Sequence, residues 1–74
     1  MNIDTFRQIV DCWSTLGQVS RDLSPETRIQ EVMVQAAHMH AEGEYEEDKQ
    51  LVRAAKSLLF AASWLQKSLR GGLL

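Results

Sequence analysis

The sequence predicts an all-α protein of three helices, at about residues 3–21, 25–41 and 44–70, forming an antiparallel helical hairpin or small three-helix bundle that dimerises. Three observations carry that expectation. Apolar residues recur at spacings of three and four in each segment, the signature of a one-sided helix. Only two groups of helix-ending residues interrupt them, Ser24-Pro25-Glu26 and Glu42-Gly43-Glu44, and Gly71-Gly72 closes the last segment, leaving Leu73-Leu74 as a tail free to fray. No repeat, low-complexity segment or long linker divides the chain, so residues 1–74 read as a single domain.

In the first segment Phe6, Ile9, Val10, Trp13 and Leu16 fall within one broad stripe, opposite Arg7, Asp11, Thr15, Gln18 and Asp22. Trp13 reads as core, since its indole N–H needs only one acceptor. Gly17 and Ser20 extend the stripe with small residues. Cys12, at the stripe's edge beside Asp11 and without a neighbouring base, reads as a small, half-buried, unreactive residue.

The second segment starts where Ser24 is placed to cap a helix, Pro25 fits its first turn and Glu26 complements its positive end. Ile29, Val32, Met33, Ala36 and Met39 form its stripe, with Val34 outside it. His38 and His40, two residues apart, point about 200° away from each other on a helix and do not share one metal ion. His38 and Glu42 share a face, but two ligands make no specific site. His40 projects toward the stripe's end, where it covers a core edge.

In the third segment Leu51, Ala55, Leu58, Ala62, Leu65 and Leu69 draw one seam for the core or for a two-fold contact, the alanines lowering the ridge so that a neighbouring helix comes close. Phe60 and Trp64 lie roughly opposite that seam, among Lys49, Arg53, Lys56, Ser57 and Lys67. Two large aromatics one turn apart on a charged face need a partner, and Trp beside Arg is hot-spot composition. Phe60 and Trp64 are the expected anchors for a protein partner, with Arg53, Lys56 and Lys67 as the polar rim. Burial of the two aromatics beneath the first helix is the competing reading.

Composition bounds the function. A 74-residue chain has a single core contributing about 3 to 5 kcal/mol. A lone cysteine forms no internal disulfide, which makes oligomerisation the expected staple. The net charge of −2 and pI near 5.5 argue against nucleic acid. No stretch approaches the roughly 18 apolar residues of a membrane span, and the start of the chain lacks a leader pattern, so a cytoplasmic protein with no membrane partner is expected. No nucleophile, base and oxyanion donors converge, no glycine loop cradles phosphate, and the acids from Glu42 to Asp48 lack the calcium-loop pattern and instead favour a helix start. No enzyme activity, cofactor, metal or small-molecule substrate is expected.

The turn Gly43-Glu44-Tyr45-Glu46-Glu47 resembles the inter-helix turn of a tetratricopeptide repeat, with Ala36, Val52 and Ala55 at its small and apolar positions. The resemblance covers residues 32–60 once. It implies a helical hairpin of similar build and a peptide- or protein-binding role, without a repeat array. Three functions follow in order of expectation: a regulator or adaptor that sequesters or scaffolds a larger protein, a secretion-type co-chaperone covering an apolar client segment, and a nucleic-acid-binding regulator using the basic side of the third helix.

Overall fold

Helix α1 spans Ile3–Gln18 and runs into a 3-10 turn at Val19–Arg21; α2 spans Pro25–Glu46 and α3 Lys49–Arg70. The computed structural model describes residues 1–21 and 23–71, so Asp22 and the expected Gly72-Leu74 tail lie outside the described residues. Among the described residues there is no strand, and the three helices pack into a bundle with a radius of gyration of 12.5 Å. No described helix is long and apolar enough to cross a membrane.

Each helix start has a local cause. Asn2 Oδ1 accepts the Thr5 N–H at 2.8 Å and opens α1; Asp48 Oδ1 accepts the Leu51 N–H at 3.2 Å and opens α3. Ser24 sits at the α2 N-cap position without a side-chain capping bond, and Pro25 supplies the preset φ of the first turn.

The turn between α2 and α3 falls later than the sequence pattern places it. Gly43 does not end a helix near residue 41: α2 continues to Glu46, and Glu47 takes the left-handed conformation (φ 57°) instead. The Asp48 N–H then reaches the Gly43 carbonyl at 2.8 Å and the Glu47 N–H the Glu44 carbonyl at 3.3 Å, the paired bonds of a Schellman stop. Gly43 is glycine for a different reason. A Cβ there would lie 2.8 Å from Val52 Cγ2, 3.0 Å from the Val52 nitrogen and 3.3 Å from the Asp48 carbonyl oxygen, so α3 passes where a side chain would stand. The tetratricopeptide-like lock is therefore not formed: Gly43 and Tyr45 are inside α2, and Tyr45 is exposed.

The most extensive helix contact is between α2 and α3. Ile29, Val32, Ala36 and Met39 of α2 meet Leu51, Ala55, Leu58 and Ala62 of α3, with Met33, Leu65 and Leu69 packed at the margin. Val34 is exposed.

The core face of α1 differs from the expected stripe. Thr5, Ile9, Cys12, Leu16 and Val19 are buried, whereas Phe6, Val10 and Trp13 are exposed. The helix carries two lines of matched spacing, 5-9-12-16-19 and 6-10-13-17, displaced by one residue and hence by about 100°. The expected stripe merged them because the second holds the bulkier side chains. Cys12, expected at a half-buried edge, belongs to the core line: its thiol is buried and donates to Gln35 Oε1 at 3.1 Å. Burial first, and the neighbouring Asp11 carboxylate second, push its pKa up.

At one end of the bundle the amino terminus pairs with Asp48 Oδ2 at 3.1 Å. Further along, Trp13 and Gly17 lie beside Phe60 to Leu65, so α1 and α3 run in the same sense.

Candidate functional site

Between α1 and α3 an open groove of about 440 Å³ is lined by Trp13, Leu16, Gly17, Phe60, Ala61, Trp64 and Leu65. Its floor is low where the small residues Gly17 and Ala61 line it. A Cβ added at Gly17 would meet nothing within 4 Å, so the space above it is open. Its walls are aromatic: Phe60 is 75% exposed, Trp64 58% and Trp13 44%. Toward the start of α1 the apolar line continues through Val10, Phe6 and Ile3, all exposed.

The periodicity of α3 produces its wall. Arg53, Ser57, Phe60, Trp64 and Lys67 recur at the spacings four, three, four and three, each two residues after a seam position and so about 200° around the helix from the core. Arg53 and Lys67 therefore bracket the aromatic pair one heptad to either side of Phe60, with Lys56 one turn before it. All three cations are exposed, and none pairs with a carboxylate among the described residues. Over its whole length α3 carries five basic residues and no acid, whereas α2 carries five acids and one arginine.

The structure thus groups Phe60, Trp64, Arg53, Lys56 and Lys67 on one face, away from Leu51, Ala55, Leu58 and Ala62, which are buried, and from Leu65 and Leu69, which are partly so. Helix α1 does not cover the aromatics; it adds Trp13 to their surface. Sequence reasoning assigned Trp13, Val10 and Phe6 to the core. The signal that separates them is the second 4-3-4 line one residue behind the first.

Other polar groups stay apart from this groove. His40 Nε2 approaches Glu44 Oε1 at 3.6 Å, and His38 is exposed. No three His, Cys, Asp or Glu side chains converge among the described residues. A second concavity at the α2–α3 turn, lined by Gly43, Glu47, Asp48, Lys49, Val52 and Arg53 among others, mixes both charges. There the amino-terminal ammonium, foremost, and the Leu51 N–H hold the Asp48 carboxyl below its usual pKa.

Set against known proteins, the chain matches no protein-family model, no curated protein and no solved structure.

Proposed function

We propose that this chain is a non-enzymatic protein-interaction module: an α2–α3 helical hairpin with α1 laid along it, acting as a regulator or adaptor that sequesters or scaffolds a larger protein. Phe60 and Trp64 are its anchors, Trp13 completes the apolar wall, and Arg53, Lys56 and Lys67 form the polar rim. The observation that carries this reading is the aromatic groove left open between two packed helices, since monomeric soluble proteins avoid contiguous apolar patches of this kind.

A two-fold dimer on the same face is the second reading, since a symmetric contact would cover the same exposed aromatics. A free, buried thiol suits a reducing compartment, which supports a cytoplasmic setting.

The test is sedimentation equilibrium and partner capture with the wild type and a Phe60→Ser/Trp64→Ser variant. The reading expects the variant to fold while losing association or capture, with Trp64→Ala alone weakening the complex by about 2 kcal/mol or more, the hot-spot threshold. Equal association of both folded proteins overturns it. A chain that is unstable alone and strongly stabilised by one client points to the co-chaperone role instead.

A further inference from the structure

We propose that the occupant of the α1–α3 groove is an acidic amphipathic helix of another protein, with apolar anchors over Gly17 and Ala61 and carboxylates against Arg53 and Lys67. This rests on the protein-binding reading above and specifies its partner. Charge selects the occupant. The exposed line on α3 has a cation at each end, Arg53 and Lys67, fourteen residues or about 21 Å apart along the axis. The two carboxylates of α1, Asp4 and Asp11, lie about 130 to 150° around that helix from the groove-facing line, so no carboxylate of α1 faces the groove. Glu44, Glu47 and Asp48 share the turn concavity with Arg53 without a salt bridge to it, which leaves the guanidinium to pair with an incoming acid.

The same charges oppose a second copy. Antiparallel pairing of two α3 lines about Phe60 sets Arg53 opposite Lys67 of the other copy, twice. Parallel pairing sets each cation opposite itself. Like charges across an interface select against the wrong partner. A helix with carboxylates two heptads apart, flanking two or three apolar residues, converts both repulsions into ion pairs. Shape favours a helix over a flat surface: the floor at Gly17 and Ala61 is recessed between Trp13 on one side and Phe60 and Trp64 on the other, the form of a helix-in-groove site.

The chain reports its own occupancy, because both of its tryptophans, Trp13 and Trp64, line the groove. The probes are tryptophan-free helical peptides of three heptads sharing one leucine face, with Glu, Gln or Lys at the rim positions, and vesicles of phosphatidylglycerol and phosphatidylcholine. The Glu peptide is expected to blue-shift the emission and to bind about tenfold more tightly than the Lys peptide at low salt, from a few exposed ion pairs of ordinary strength. Added salt narrows that ratio. Gly17→Leu, which fills the open floor, abolishes binding, and Arg53→Glu/Lys67→Glu inverts the preference toward the Lys peptide.

Equal or tighter binding of the Lys peptide overturns the acidic partner while leaving a protein-binding groove in place. Undiminished binding by folded Gly17→Leu overturns the location. A response to anionic vesicles with none to any peptide replaces the helix by a membrane surface. Self-association that Gly17→Leu abolishes, with no peptide bound, replaces it by a second copy. Absence of any binding overturns the inference, and the capture experiment above then decides separately whether the protein-binding reading survives.

Discussion

Gly17 and Gly43 both occupy helix interiors, yet the same substitution at each is expected to act in opposite directions. In a helix, Gly→Ala gains up to about 1 kcal/mol from backbone entropy. At Gly17 nothing lies within 4 Å of the added methyl, so the gain is realised, reduced to about 0.5 to 1 kcal/mol because Gln18 ends the helix. At Gly43 the methyl would sit 2.8 Å from Val52 Cγ2 and 3.0 Å from the Val52 backbone nitrogen. The side chain can rotate, but the backbone atom cannot move without separating α2 from α3. Overpacking of this kind costs about 1 to 3 kcal/mol, which exceeds the propensity gain. For a domain of this size 1 kcal/mol moves Tm by about 4 to 8 °C. Thermal unfolding followed by circular dichroism should show Gly17→Ala raised by about 2 to 8 °C and Gly43→Ala lowered or unchanged. A Gly43→Ala protein as stabilised as Gly17→Ala refutes the close α2–α3 approach; a destabilised Gly17→Ala refutes the open groove floor.

Glu47 holds the left-handed φ of 57° that glycine adopts without penalty, so Glu47→Gly should raise stability by about 0.5 to 1 kcal/mol in urea unfolding. The Asp48 carboxyl is held below its ordinary pKa, chiefly by the amino terminus. Folding therefore gains stability above the unfolded-state pKa of that carboxyl and loses it as pH falls through the folded-state value. Acetylating the amino terminus should flatten this acid limb of a stability–pH curve and raise the Asp48 pKa seen by NMR. The Cys12 thiol, buried and pushed up in pKa, should react with iodoacetamide at the rate of the unfolded chain scaled down by the equilibrium fraction opened, which quantitative mass spectrometry reads directly. Fast labelling of the folded chain would contradict its core position.

Much of this structure was legible because α2 and α3 each present one apolar line. Leu51, Ala55, Leu58 and Ala62 could face only one neighbour, and Ile29, Val32, Ala36 and Met39 the other. The opposed position of Phe60 and Trp64 followed from the same geometry. Helix α1 was misread because it has two lines one residue apart, and residue size favours the wrong one: the core line holds Thr5 and Cys12, the groove line Phe6, Val10 and Trp13. A residue's hydrophobicity gives the tendency to be covered, but not what covers it. The α2–α3 turn was displaced because glycine has two uses, releasing φ and admitting a neighbour, and only the packing of Val52 shows which applies at Gly43. Glu47, an ordinary residue in a left-handed conformation, leaves no compositional trace at all.

The central claim is that Phe60 and Trp64 serve a contact surface and contribute little to the fold of the isolated chain. Equilibrium urea unfolding of Phe60→Ser/Trp64→Ser tests it most directly. Exposed substitutions shift stability by about 0.5 kcal/mol or less each, so the double variant should lie within about 1 kcal/mol of the wild type with an unchanged m-value. A loss of about 3 kcal/mol or more, the range for truncating a buried Phe or Trp, would place the pair in the core and contradict the account.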